Sequence, residues 1–157
     1  MFRTGSGWDI HRLEKGKKLV IGGVTLNWEK GCVGHSDGDA LIHAIIDALL
    51  GAAGLDDIGT FFPDTDPQYL GIDSAVLLER TVSMVRERGF EIDNVDCTVI
   101  LQEPKLKQYK QLMKERIASV LSVSREAVSV KAKTAEGMLG ELGTGDAVCA
   151  FVSVLLS

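Results

Sequence analysis

At 157 residues, with 45% hydrophobic and 25% charged side chains, the chain has the composition of one globular domain able to bury a single core. A net charge of −5 without any basic stripe of interleaved aromatics argues against nucleic acid, and no apolar run approaches the roughly 18 residues that span a bilayer. The start, Met1-Phe2-Arg3-Thr4-Gly5, lacks the apolar core of a signal peptide, and three widely spaced cysteines (Cys32, Cys97, Cys149) read as inert thiols of a cytoplasmic protein.

Residues 2–10 read as a strand that ends in Asp9 and His11, which lie two apart and so leave the same face of an extended chain. Leu19 to Leu26 reads as a hairpin turning on Gly22-Gly23. Residues 39–53 carry an amphipathic helix. Leu41, Ile42, Ile45, Ile46, Leu49 and Leu50 form its apolar stripe, and Asp39, His43 and Asp47, four apart, line the opposite one. Asp37-Gly38-Asp39 supplies the start of that helix, with Asp37 and Asp39 as capping groups. Asp56 to Gly71 reads as a loop long enough to be functional, although a solvated surface loop has the same composition.

A second helix runs from Asp73, its N-cap, to Arg88, with Gly89 as its stop and Val76, Leu77, Thr81 or Val82, Met84 and Val85 as its core face. A strand over 95–101 and a helix over 106–121 follow, the latter with Tyr109, Leu112, Met113, Ile117 and Leu121 at helical spacing. Strands at 128–132 and 148–155 flank a glycine-rich connection, 137–145. Two helices precede the central strand and no helix of normal length joins the last two strands. That pattern favours an α+β sandwich with helices on one side of a mixed sheet, and residues 1–157 show no linker dividing them into domains.

All three histidines (His11, His35, His43) fall in two segments rich in aspartate. Asp9, His11 and His43 together make a carboxylate and two imidazoles, a ligand set for a catalytic divalent metal with one position left open. Alone, an Asp-x-His pair more often marks a turn former beside a hydrogen-bonded histidine, and the gathering of all three histidines near acidic residues is what brings the metal reading level with it. A ligating histidine usually gives its second ring N–H to a carboxylate; Asp47, one turn beyond His43, is placed for this, with Asp39 as competitor. The chain has no phosphate-binding glycine loop, no Gly-x-Ser-x-Gly and no Cys-x-x-Cys, and adjacent His35 and Ser36 seldom meet as base and nucleophile. Metal-assisted chemistry on a phosphate or carbonyl remains. Lys131 to Glu136 and Pro104-Lys105 suit a phosphorylated ligand, although each alone also reads as a solvated strand end or a Pro-initiated helix.

Taken in order, Gly7-Trp8-Asp9-Ile10-His11, His35-Ser36-Asp37-Gly38-Asp39, His43, Asp57-Ile58-Gly59, Phe62-Pro63-Asp64-Thr65-Asp66, Pro104-Lys105 and Thr134-Ala135-Glu136 resemble the 2-C-methyl-D-erythritol 2,4-cyclodiphosphate synthase family of the non-mevalonate isoprenoid pathway. The resemblance spans essentially the whole chain. It implies a ferredoxin-like α+β sandwich and a homotrimer with sites at its subunit interfaces. The implied enzyme is a phosphorus–oxygen lyase that cyclises 4-diphosphocytidyl-2-C-methyl-D-erythritol 2-phosphate and releases CMP. The substrate's own 2-phosphate is the nucleophile, which agrees with the missing serine and cysteine motifs.

The resemblance further implies that Asp9, His11 and His43 hold a zinc-type ion, and that Glu136 holds a second one, magnesium or manganese. His35 and Ser36 would hold the methylerythritol phosphate, and Asp57 and Gly59 would meet sugar hydroxyls, with Ile58 between them also among the substrate-binding residues. Phe62, Pro63, Asp64, Thr65 and Asp66 would form a flexible substrate loop. Leu101 to Lys107, including Lys105, would form the cytosine pocket, with Lys105 and Thr134 near the nucleotide phosphates. Two departures stand out. Gly143-Thr144-Gly145-Asp146-Ala147 replaces a common Gly-Arg-Gly-Glu-Gly, which leaves open an anion site in the trimer's channel. Lys133 stands where threonine is common, either as a phosphate contact or facing solvent. The competing expectations are a metal-dependent phosphohydrolase and an inactive metal-stabilised binding trimer.

Overall fold

A computed structural model describes residues 1–157. The longest strand, β1 (Arg3–Lys15), sets the architecture, because it runs past the expected residue 10 to pair on both sides. Along one edge it pairs antiparallel with β7 (Ala147–Leu156) over its whole middle, Arg3↔Leu156 to Arg12↔Ala147. Its last three residues also pair with β4 (Lys30–Cys32). Beyond β7 lie β5 (Ile92–Ile100), antiparallel to it, and β6 (Val128–Lys133), parallel to β5, giving the order β4-β1-β7-β5-β6. The Leu19 to Leu26 segment forms the expected hairpin, β2 (Leu19–Ile21) and β3 (Val24–Leu26), with Gly22 and Gly23 both at positive φ.

The mixed sheet with helices on one face is as expected, but the ferredoxin-like strand order is corrected. That order needs two interleaved β-α-β units. Here only the first is split: β1 and β5 are parallel with β7 between them. β5 and β6 are direct parallel neighbours joined through α4 (Lys110–Leu121). The return from β6 to β7 is antiparallel and starts from the same end of the sheet. It therefore needs no crossover helix, and α5 (Glu141–Thr144) is a single turn.

α1 (Ala40–Ala52) lies across β1 and β7, with α3 (Ser74–Glu87) on its other side, and this double cover explains why Leu41, Ile42, Ile45, Ile46, Leu49 and Leu50 are all fully buried. Its closeness to β1 depends on two glycines. A Cβ on Gly5 or Gly7 would overlap the carbonyl oxygens of Ala48 or Ala44, so only glycine lets the helix backbone rest on the strand. The start of α1 is stapled by Asp39. Its buried carboxylate accepts from Ile42 N at 3.0 Å, as the expected cap, and also from Gly22 N at 2.9 Å and Gly23 N at 2.6 Å.

Elsewhere the core differs in detail from the periodicity. On α3 the buried residues include Leu78 and Thr81 with Leu77, Val82 and Val85, whereas Val76 is exposed. Helix α4 starts after a 3₁₀ turn at Leu106–Gln108, and Leu112 faces solvent. The 56–71 segment is not a bare loop. It holds the short α2 (Ile58–Phe61), capped by Asp57, and a 3₁₀ turn, Pro67–Tyr69, capped by Asp66.

Candidate metal centre

Asp9 and His11 point from β1 toward α1, as their alternation requires, and meet His43 from the first turns of that helix. Asp9 Oδ2 lies 2.8 Å from His11 Nε2 and 3.1 Å from His43 Nδ1, and the two ring nitrogens lie 3.1 Å apart. The other nitrogen of His11, Nδ1, is 3.0 Å from the carbonyl oxygen of Val33. A carbonyl only accepts, so Nδ1 carries the proton and the Nε2 lone pair faces Asp9. Three acceptor atoms thus converge on one point, which suits a cation; the donor set fits the expected zinc-type ion.

Burial pushes the Asp9 carboxyl up, but the adjoining His11 and His43 rings, when they carry a proton toward it, outweigh that and hold the group at about 2. Burial depresses His11, but the Asp9 carboxylate and the Val33 carbonyl outweigh that and raise it above its usual 6.5. The Nε2 lone pair of His11 can take either a proton or a cation, and the two exclude each other.

Asp47 does not support His43, contrary to expectation. Its Oδ1 accepts from Ile58 N at 2.8 Å, which ties α2 to α1. The partner of His43 is instead Ser74, fully buried at the start of α3, whose Oγ lies 2.9 Å from His43 Nε2; Ser36 Oγ stands 3.1 Å from the same nitrogen. Asp37 is likewise not a cap of α1. It accepts from the backbone N–H of Ser74 at 3.1 Å and from the Ser74 hydroxyl, at the N-terminus of α3. Ser74 lies 31 residues from His43, and no local spacing marks it.

These three side chains, Asp9, His11 and His43, stand at the wall of a cavity of about 380 Å³ that His35, Ser36, Ile58, Gly59, Phe62 and Asp64 also line. His35 Nε2 is 3.0 Å from the carbonyl oxygen of Asp66, so the acidic segment folds back over this cavity. Asp57, Pro63, Thr65 and Asp66 do not line it. A second cavity, of about 350 Å³, brings Leu101, Lys105, Lys107, Lys133 and Thr134 together as the sequence suggests, and adds Lys110. Lys131 is not part of it; its ammonium pairs with Asp96 at 2.6 Å. Glu136 lies in neither wall: it is exposed, sits at φ 52, and accepts a hydrogen bond from Thr134 Oγ1.

The fold and this site define a mixed α+β protein that presents an Asp/His/His ligand set, suited to a divalent cation, at the wall of a small-molecule cavity. No helix is long and apolar enough to cross a membrane. The chain belongs to the YgbB family, whose model matches residues 2–157. It is 54% identical over 154 residues to the 2-C-methyl-D-erythritol 2,4-cyclodiphosphate synthase of Laribacter hongkongensis, covering 98% of this chain and 94% of that one. Its structure matches that of the bifunctional IspDF from Campylobacter jejuni with a TM-score of 0.94 at 42% identity, over 99% of this chain and 42% of that one. A 2C-methyl-D-erythritol-2,4-cyclodiphosphate synthase solved in its CDP-bound form matches with a TM-score of 0.91 at 36% identity, over 99% of this chain and all of that one.

Proposed function

We propose that residues 1–157 act as one catalytic domain that converts 4-diphosphocytidyl-2-C-methyl-D-erythritol 2-phosphate to the 2,4-cyclodiphosphate, releasing CMP. An oxygen of the 2-phosphate bonds to the β-phosphorus, and the bond from that phosphorus to the α–β bridging oxygen breaks, leaving CMP with that oxygen. The observation that carries this reading is the convergence of Asp9, His11 and His43 at a cavity, in a chain with full-length relatives named for this reaction. No protein nucleophile is needed, so the residues' work is positioning and charge neutralisation.

Asp9, His11 and His43 would hold a zinc-type ion and Glu136 a magnesium or manganese ion; such cations neutralise the charge of a reacting diphosphate. His35 and Ser36 hold the methylerythritol phosphate, while Asp57 and Gly59 meet its hydroxyls and Ile58 lies against it. The Phe62 to Asp66 segment, with Pro63, Asp64 and Thr65, closes over it. Leu101, Lys105, Lys107, Lys133 and Thr134 take the cytidine and its phosphates, where four lysines including Lys110 offset an otherwise acidic protein.

The two cavities share no lining residue, and the strands that carry them, β1 and β6, are separated by β7 and β5. One substrate reaching both calls for a neighbouring copy, which supports a homotrimer with sites between subunits. The sheet face away from the helices also supports it, since Trp8 and Phe151 are cross-strand neighbours there and about half exposed. Three buried, unpaired cysteines support a cytoplasmic setting. The test is phosphorus NMR with this substrate and magnesium, with and without a zinc chelator. Chelator-sensitive CMP and cyclic diphosphate are expected; an unchanged spectrum from metal-loaded protein would overturn the activity.

A further inference from the structure

We propose that Ser74 and Asp37 are positioning residues that lock His43 in the Nε2–H tautomer, and so aim its Nδ1 lone pair at the metal position. The inference rests on the metal reading above.

The argument is one of donors and acceptors. Asp37 accepts three hydrogen bonds: from Asp39 N at 3.1 Å, from Ser74 N at 3.1 Å, and from the Ser74 hydroxyl. An ionised carboxylate only accepts, and a hydroxyl has one hydrogen to give. The hydrogen of Ser74 is therefore committed to Asp37, and toward His43 Nε2, 2.9 Å away, Ser74 Oγ can only accept. A hydrogen bond between Ser74 and the ring therefore needs the proton on Nε2, and Nδ1 then keeps its lone pair 3.1 Å from Asp9 Oδ2 and from His11 Nε2. Ser36 Oγ, 3.1 Å from Nε2 and accepting from Gly38 N at 3.4 Å, can share the Nε2–H as a second acceptor, and its own hydrogen is the one donor that would oppose Ser74 there.

Three features make this a built device. Ser74 is fully buried, so water does not compete for its hydroxyl. Asp37 also takes the first backbone N–H of α3, which fixes the hydroxyl relative to that helix. A neutral serine between carboxylate and imidazole passes on orientation, where direct contact with Asp37 would also pass on its full negative charge. His11 reaches the same end more simply, through the Val33 carbonyl. Each imidazole thus has its outer nitrogen tied to an acceptor and its inner lone pair free.

The experiment is long-range ¹H–¹⁵N correlation of histidine-labelled, metal-free protein, which reads each ring's tautomer directly, together with zinc titration of the wild type, Ser74→Ala, Ser74→Thr and Asp37→Asn. Wild-type His43 should show protonated Nε2 and bare Nδ1. In Ser74→Ala it should become a mixture of tautomers and zinc affinity should fall about 10- to 100-fold. Ser74→Thr, which keeps the hydroxyl, should restore both. Asp37→Asn keeps one acceptor oxygen in place of two and sets an amide N–H against the Ser74 N–H or the Ser74 hydroxyl, so it should perturb the tautomer with little change of volume and carries the test should Ser74→Ala fail to fold. A wild-type His43 protonated at Nδ1 would overturn the proposal. So would folded Ser74→Ala and Asp37→Asn variants with unchanged tautomer and zinc affinity, an outcome that leaves the metal site itself intact. Failure of the wild type to bind zinc would instead overturn the metal reading, and this inference with it.

Discussion

Replacing Gly7 by alanine tests whether the contact between β1 and α1 sets the metal geometry. The new Cβ would stand 2.8 Å from the carbonyl carbon of Ala44 and 2.9 Å from Ala48 N, and would overlap the Ala44 oxygen by about 1 Å relative to the 3.0 Å floor for real Cβ contacts. These are helix backbone atoms, which cannot rotate aside as a side chain can. Strand and helix must therefore part by about 1 Å at this level. Ala44 follows His43, and Gly7 stands two residues before Asp9, so the displacement falls directly on ligand atoms now 2.8 to 3.1 Å apart. Metal–ligand bonds tolerate about 0.2 Å.

Overpacking of this kind costs about 1–3 kcal/mol, and a rigid backbone clash belongs at the upper end. At about 2–4 °C per kcal/mol for a domain of this size, Tm should fall by about 6–12 °C. Zinc affinity and kcat/KM should each fall by about 100-fold, the cost of a misplacement near 1 Å. Calorimetry, zinc titration and CMP release check the three quantities. Gly51→Ala is the control: it lies on the same helix with nothing within 4 Å of its would-be Cβ, and should leave the site unchanged while stabilising by about 0.4–1 kcal/mol. A Gly7→Ala protein with wild-type Tm and zinc affinity would refute the reasoning.

Removing His43 by alanine substitution should abolish turnover and zinc binding while the far-UV circular dichroism stays folded; normal activity would contradict the ligand assignment. The depressed Asp9 and raised His11 favour the metal-free fold from above the ordinary Asp value of 3.8 up to the His11 value above 6.5. Metal-free Tm should therefore drop as pH falls toward about 2, and also as it rises through the His11 transition. Zinc affinity should move the other way at the alkaline end, strengthening as the competing proton leaves, which calorimetric titration at pH 6 and pH 8 will show. Asp39→Ala orphans three N–H groups, two of them buried and that of Gly23 part-buried, and should cost about 3 kcal/mol, read as a loss of Tm of about 6–12 °C. Burial pushes the Cys32 and Cys97 thiols up to about 12, so alkylation at pH 8 should label neither until the protein is unfolded.

What the chain reveals unaided is governed by short range. The α1 and α3 boundaries, the caps Asp39 and Asp73, and the Gly22-Gly23 turn depend on partners within a few residues, so spacing and residue type suffice to find them. The candidate metal ligands are legible for another reason: histidine is scarce here, and a carboxylate with two imidazoles is a chemical statement before it is a geometric one. Tertiary structure decided everything that joins distant segments. Asp47 sits one helical turn from His43, where spacing alone makes it the ring's support, yet the backbone of α2 takes its carboxylate, while Ser74 from another helix reaches the ring. Gly5 and Gly7 read as ordinary strand residues until α1 is laid against them. The sheet order, too, follows from where β7 inserts, between β1 and β5. Pairing across the chain is chosen by which faces can be buried together, and no local pattern encodes that choice.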